Sequence, residues 1–184
     1  MAKLGSAHSP QAYVPSAGRV EELPRDPSCK AQKLTNGVEV TKYIFVIIQT
    51  DKFVGDPSLL RGYQMRIKHE DFLSDKWVVN HSESVSRSQL SEAFDFWALV
   101  GTPSTKVYAA GALYVDITNN RLVGVDTRAG HFFRWFTDPK QVPTDKAMND
   151  ATFDFLGKLG YDTSSMKSHV EIMGYFQEFP VVVE

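Results

Sequence analysis

The sequence is poor in cysteine, and this limits the chemistry available to it. Its one cysteine, Cys29, can neither form an internal disulfide nor build a zinc site that needs several thiolates. Cys29 lies among prolines, without an apolar frame to hold a partner histidine, so we expect no catalytic thiol there. The cysteine content agrees with a reducing compartment.

Long apolar runs and an excess of one charge are also missing. No stretch reaches the roughly 18 apolar residues of a membrane-spanning helix, and the N-terminus lacks a signal-peptide pattern. The formal net charge of −2 gives no chain-wide attraction for nucleic acid or anionic lipid. The sequence therefore predicts a cytoplasmic or otherwise intracellular protein, without a membrane span and without a strong nucleic-acid signal.

The common motifs of cofactor binding and catalysis are absent as well. The chain contains no phosphate loop, dinucleotide-binding glycine pattern, zinc-protease motif, nucleophile elbow or acidic calcium loop. We therefore expect neither a cofactor nor a metal. Whether the protein is an enzyme stays open, because a small site can be assembled from scattered residues that leave no local pattern.

Residues 106–136 carry the clearest strand patterns in the chain. Asn119 and Asn120 tolerate the positive φ of a tight turn, and runs rich in Val, Leu and Tyr flank them. They predict a two-residue hairpin in which Val115 faces Gly124. Both faces of this strand pair are apolar, so we expect it at the centre of a sheet that is covered on both sides.

Weaker patterns on either side complete the predicted domain. Alternating or continuous apolar runs predict further strands at 38–50, 63–68, 77–79, 131–136 and 170–177. Helical spacing and end signals predict helices at 89–100 and 144–160, the second with a buried stripe of Met148, Ala151, Phe155 and Leu159. The sequence thus predicts an α+β domain of mainly antiparallel strands, either a curved sheet or a sandwich, with two packed helices.

Residues 1–33 differ in composition from the rest. Prolines recur there without a helical or strand period, at Pro10, Pro15, Pro24 and Pro27. Each proline holds the preceding residue in an extended conformation. We therefore interpret residues 1–33 as an extended N-terminal arm and residues 34–184 as a single α+β domain.

Three histidines are the strongest candidates for catalysis. His69 precedes Glu70 and Asp71 at the end of the half-exposed strand, where a carboxylate would favour a general base. Neighbouring residues on a strand point to opposite faces, however, so Glu70 cannot orient His69, and a solvated strand end is the simpler interpretation. The other candidates are His131 or His81 acting with Asp116 or Asp126.

An aromatic group close to His131 gives a candidate ligand pocket, formed by His131, Phe133, Trp135 and Trp97. Core packing explains these rings equally well. We therefore favour a non-enzymatic assembly or interaction protein, with the layout of a shell, coat or matrix protein. It would form homo-oligomers through the N-terminal arm and the apolar C-terminal tail. The alternative is a small cavity enzyme or ligand-binding protein that acts on a small apolar molecule through a His/Asp site.

Overall fold

The structure, a computed structural model, describes residues 13–15, 17–49, 62–72, 107–127 and 144–182. Within these ranges the fold is an open, five-stranded antiparallel sheet with two packed helices. The predicted α+β class with a mainly antiparallel sheet is therefore confirmed. The predicted strands at 77–79 and 131–136 and the predicted helix at 89–100 lie outside the described residues.

The strands are β1 (Gln32–Lys33), β2 (Glu39–Gln49), β3 (Tyr63–Glu70), β4 (Val107–Asp116) and β5 (Arg121–Asp126). Strand β2 is the centre of the sheet. It pairs with β4 along one side and with both β1 and β3 along the other, and β5 continues the sheet beyond β4.

Between Tyr43 and Ile48, strand β2 is buried on both faces, as its continuous apolar pattern there predicts. Tyr43 and Phe45 point to one face and Ile44 and Val46 to the other, and all of them are buried. A strand that is apolar on both sides is stable only when both sides are covered. The N-terminal arm contributes to this core, because Val20 and Leu23 belong to the same buried cluster.

The β4–β5 hairpin forms where the sequence predicts it, but its turn is longer than the predicted two residues. Four residues, 117–120, connect the strands. The Asp116 carboxylate accepts the backbone N–H groups of Thr118 and Asn119, each at 2.9 Å. These bonds stabilise the wider turn, and only Asn120 adopts a positive φ, of 53°.

The predicted register of this hairpin is therefore wrong. Val115 faces Leu122 instead of Gly124, and Gly124 faces Tyr114. Val123 is the extra residue of a β-bulge between these two pairs. A Cβ at Gly124 would lie 2.6 Å from the Ile172 side chain, so the glycine allows the second helix to pack closely on β5.

Helix α1 (Asp145–Leu159) follows its predicted boundaries. The Thr144 hydroxyl accepts the N–H of Ala147 at 3.1 Å, and Gly160 ends the helix with a φ of 106°. In the predicted stripe Met148 and Phe155 are buried, whereas Ala151 and Leu159 are half-buried. Further residues complete the buried face, namely Asn149, Thr152 and Leu156.

The strand predicted at 170–177 is wrong, because His169–Glu178 form helix α2. Glu171 accepts the N–H of Ser168 at 2.9 Å, which stabilises the first turn. A segment with apolar residues at every second position also contains apolar residues four positions apart, and such residues share one face of a helix. Ile172 and Phe176 are such a pair. The two helices pack on opposite faces of the sheet, α2 on the face of Gly124 and Tyr114.

Candidate functional site

The N-terminal arm meets the sheet at the outer edge of β3. The N–H of Tyr13 donates to the Ile67 carbonyl and the N–H of Ile67 donates to the Tyr13 carbonyl, both at 2.9 Å. Farther along, the N–H of Phe72 donates to the Lys30 carbonyl at 3.0 Å. We name this surface the arm dock and define its sheet side as Ile67, His69, Asp71 and Phe72.

His69 lies at the centre of the arm dock, and its ring is held on several sides. Its Nδ1 accepts the backbone N–H of Asp26 at 2.9 Å, and its Nε2 is hydrogen-bonded to the Thr41 hydroxyl. The ring stacks on Tyr43, with 4.8 Å between the centroids. Because Nδ1 accepts a hydrogen bond, the neutral ring carries its proton on Nε2 and donates it to Thr41.

Burial controls the charge of His69. The residue is 8% exposed, and burial lowers the pKa of its ring, although the nearby Asp26 acts in the opposite direction. His69 is therefore neutral at pH 7, and both of its ring nitrogens take part in internal hydrogen bonds. This arrangement connects the arm to the sheet.

The two acidic residues after His69 have other surroundings. Glu70 is paired with Lys42 across the strands, and both residues are buried. Asp71 accepts the N–H of Lys30 through its carboxylate at 2.7 Å. The sequence argument that Glu70 points away from His69 agrees with this placement, and Asp71 helps to hold the arm.

Cys29 also belongs to the arm dock. Its thiol donates to the His69 carbonyl at a sulfur–oxygen distance of 3.5 Å. Burial, together with nearby carboxylates, raises the pKa of Cys29 to about 11. The residue is therefore a protonated thiol at neutral pH, which makes it a poor nucleophile.

The Asp116 carboxylate, a candidate catalytic residue, organises the hairpin turn. Besides the two backbone N–H groups of the turn, it accepts hydrogen bonds from Asn119 Nδ2 at 2.8 Å and from Arg121 Nε at 3.3 Å. Its side chain is almost fully buried. Asp126 lies at the other end of β5, so the sheet keeps these two carboxylates apart.

The remaining candidates lie outside the described residues: His81, His131, Phe133, Trp135 and Trp97. The His/Asp site and the aromatic pocket therefore stay predictions, and so does the alternative of a small cavity enzyme. In the described ranges, no group of three or more His, Cys, Asp or Glu residues is arranged to hold a metal ion.

A small pocket opens between β5 and α2. Its volume is about 270 Å³, and Arg121, Lys167 and Tyr175 are among its lining residues. Pockets for drug-sized ligands usually start near 300 Å³. Arg121 is already bonded to Asp116, so the pocket is a weaker candidate for function than the arm dock.

Sequence reasoning identified His69 but missed the residues that contact its ring. Thr41 and Tyr43 belong to β2, and Asp26 belongs to the arm. Strand alternation does place Thr41 and Tyr43 on one face. Only the pairing of Tyr43 with His69 shows that this face is shared with the histidine.

No protein-family model, curated protein or solved structure matches the chain. Neither α1 nor α2, nor any other helix in the described ranges, has the length and apolar content to span a membrane.

Proposed function

We propose that the protein is a non-enzymatic structural protein that self-associates, with its two ends pairing with the sheets of neighbouring copies. The observation that carries the proposal is that each end meets a strand through backbone hydrogen bonds. The arm pairs with β3 through Tyr13 and Ile67. The described part of the C-terminal tail, residues 180–182, pairs beside β1, where the N–H of Val182 donates to the Lys33 carbonyl at 2.8 Å.

Backbone pairing suits exchange between copies. An extended segment that adds to a sheet edge obtains its affinity from main-chain hydrogen bonds, and the same edge is present on every copy of the chain. Exchange of an identical segment replaces each contact by its equivalent, so it costs little free energy beyond association itself.

Close packing determines which part of the arm is able to exchange. A Cβ at Gly18 would lie 2.6 Å from the carbonyl carbon of Gly160, so the chain is pressed against the end of α1 at this point. Val20 and Leu23 then enter the core. The exchanging segment is therefore confined to residues before Gly18.

The apolar residues beside these two pairings support the same proposal. Val14 follows Tyr13 and is 40% exposed, and Val182 follows Val181 and is 38% exposed. Exchange alone leaves these side chains as exposed as before, but contact between the paired copies along these edges would bury them, which is favourable by about 25 cal/mol for each Å² of apolar surface.

Light scattering coupled to size-exclusion chromatography tests the proposal. We expect the full chain to have a mass at least twice the 20.7 kDa of one chain. Deletion of residues 1–14 removes Tyr13 and keeps Gly18 and the core residues, so it is expected to lower the oligomer mass without changing the circular dichroism spectrum. A full chain that stays monomeric between about 1 and 100 μM contradicts the proposal.

A matched pair of variants tests whether the backbone carries the arm contact. Tyr13→Pro removes the N–H that donates to Ile67, whereas Tyr13→Ala keeps it. We expect the proline variant to weaken assembly more than the alanine variant. Equal assembly of the two variants would exclude backbone pairing by Tyr13 as the basis of association.

A further inference from the structure

We infer that His69 is a pH-sensitive latch, which holds arm segment 25–30 on the sheet while its ring is neutral and releases the segment when the ring is protonated. This inference is independent of self-association, because it concerns contacts within one chain. It rests on the hydrogen-bond geometry at His69 Nδ1.

The bond between the arm and Nδ1 requires an unprotonated nitrogen. The Asp26 N–H donates to it at 2.9 Å, and a backbone N–H is unable to accept a hydrogen bond in return. Protonation places a hydrogen on Nδ1 and turns the bond into a contact between two donors. The Thr41 bond at Nε2 persists, because Nε2 is a donor in both the neutral and the charged ring.

The arm segment that His69 holds is a compact turn. Asp26 Oδ1 accepts the N–H of Ser28 at 2.9 Å and its hydroxyl at 2.7 Å, and the N–H of Cys29 donates to the Asp26 carbonyl at 2.9 Å. Because these bonds lie within the turn, the turn is able to leave the sheet as a unit. Loss of the His69 bond removes the contact at its start.

The attachment at the end of the segment is different in kind. Lys30 is held by Asp71 and Phe72 through bonds to its backbone, at 2.7 and 3.0 Å. Neither bond involves an imidazole, so both persist in mild acid. We therefore expect release to begin at Asp26, with Lys30 acting as the pivot.

Ionisable groups on each element packed against the His69 ring influence its charge. They are Arg25, Asp26 and Cys29 from the arm, Tyr43 from β2, and Glu70 and Asp71 from β3. Burial has the largest influence and lowers the pKa of His69; Asp26 opposes it, and Arg25 acts with burial. The unfolded chain therefore binds a proton more readily than the folded chain does.

The sign of the pH dependence follows from this difference. A histidine whose folded-state pKa is lowered contributes stability that is fully present above its unfolded pKa, about 6.5. The contribution is lost as the pH falls through the folded-state pKa. Release of the arm segment is thus expected in mild acid, below about pH 6.5.

Amide hydrogen exchange on the full chain tests the latch. We expect the protection of the Asp26 N–H, corrected for the intrinsic exchange rate, to fall severalfold between pH 7.5 and pH 5, because the released ring binds a proton more readily than the ring that accepts the Asp26 N–H. Amides of β2 and β4, such as that of Phe45, are expected to stay protected. Parallel loss of protection at Phe45 would mean global acid unfolding and would overturn the inference.

Two variants separate His69 from other acid effects. His69→Gln places a neutral carbonyl oxygen near the Asp26 N–H, so its protection is expected to be the same at both pH values. His169→Gln, in α2, is the matched control and should keep the wild-type response. A pH response that persists in His69→Gln, or that is absent from the wild-type chain, overturns the inference.

A third measurement does not depend on the folding of these variants. Nitrogen NMR of the wild-type histidines should show an unprotonated Nδ1 for His69 at pH 7.5, and its titration should coincide with the loss of protection at Asp26. A ring that titrates without any change at Asp26 would refute the latch. The single thiol, Cys29, provides a second reporter, because its labelling rate, normalised to the unfolded chain at each pH, should rise with release.

Discussion

The two helices are attached to the sheet in different ways. Helix α1 buries a continuous face in the main core, including Phe155 and Leu156. Helix α2 buries Ile172 alone, and it leaves Val170 68% and Met173 44% exposed. Helix α1 is therefore held by its own apolar stripe, whereas α2 depends on contacts with aromatic side chains of the sheet and of the segment that follows β3.

What the sheet provides for α2 is an aromatic cluster. The rings of Phe72, Tyr114 and Phe176 contact one another, with centroid distances of 5.1 to 5.8 Å. Such edge-to-face pairs contribute about 0.5–1.5 kcal/mol beyond the area they bury. The comparison shows that a helix can be specified by aromatic residues on a distant strand and in the segment after another strand, as well as by its own pattern.

The largest expected change in unfolding free energy comes from replacing one aromatic residue in each helix. Phe155→Ala leaves a cavity in the core and should cost about 3–5 kcal/mol of unfolding free energy. Phe176→Ala removes a half-buried ring and should cost about 1–2 kcal/mol. Urea denaturation of both variants checks this order, and equal losses would mean that α2 is as deeply anchored as α1.

The next effect concerns the contact between α2 and β5. Gly124→Ala places a methyl group against Ile172 and should destabilise the fold by about 1–3 kcal/mol. Shortening the opposing side chain with Ile172→Val is expected to recover part of this loss in the double variant. Additive losses in a double-mutant cycle would contradict direct contact between the two positions.

A smaller change in stability is expected from replacing the glycine inside each helix. A Cβ at Gly157 in α1 or at Gly174 in α2 would meet no atom within 4 Å. Because glycine is unfavourable in a helix, Gly157→Ala and Gly174→Ala should each stabilise the protein by about 0.5–1 kcal/mol. Thermal denaturation checks the pair, and destabilisation by Gly174→Ala alone would argue against a helix at α2.

The smallest effect is confined to the first turn of each helix. Hydrogen bonds from Ser168 lower the pKa of Glu171, so this cap contributes stability that is lost as the pH falls through its folded-state pKa. The Thr144 hydroxyl at α1 does not titrate. Amide exchange from about pH 6 to pH 3 should therefore show acid fraying of α2 first, and Glu171→Gln should abolish that pH dependence.

Local signals made much of the fold predictable from the sequence. Helix α1 has a Thr144 cap, an apolar stripe and a terminal glycine, and β2 is continuously apolar from Tyr43 to Ile48. The prediction of the hairpin register was wrong because a side chain, Asp116, stabilises a longer turn. The prediction at 170–177 was wrong because the alternating residues of α2 also suit a strand. The aromatic rings that favour the helix over the strand come from β4 and from Phe72.

The candidate site was less predictable than the fold. The sequence shows His69 as a histidine at a strand end, yet its key partner is the backbone N–H of Asp26, which leaves no side-chain signature in the sequence. The two carboxylates next to it in the sequence have other partners, since Glu70 lies opposite Lys42 and Asp71 accepts the N–H of Lys30. Long-range backbone contacts of this kind become visible only when the path of the arm is known.

The contact between Gly18 and Gly160 makes two distant positions interdependent. A side chain at Gly18 would strike the main chain at the end of α1, and Gly160 has a φ of 106°, which favours glycine. A chain that shares this architecture must keep glycine at 18, where a side chain has no room, and favours glycine at 160, where the backbone is left-handed. A pair of glycines at this crossing would therefore mark evolutionary relatives whose sequences have otherwise diverged.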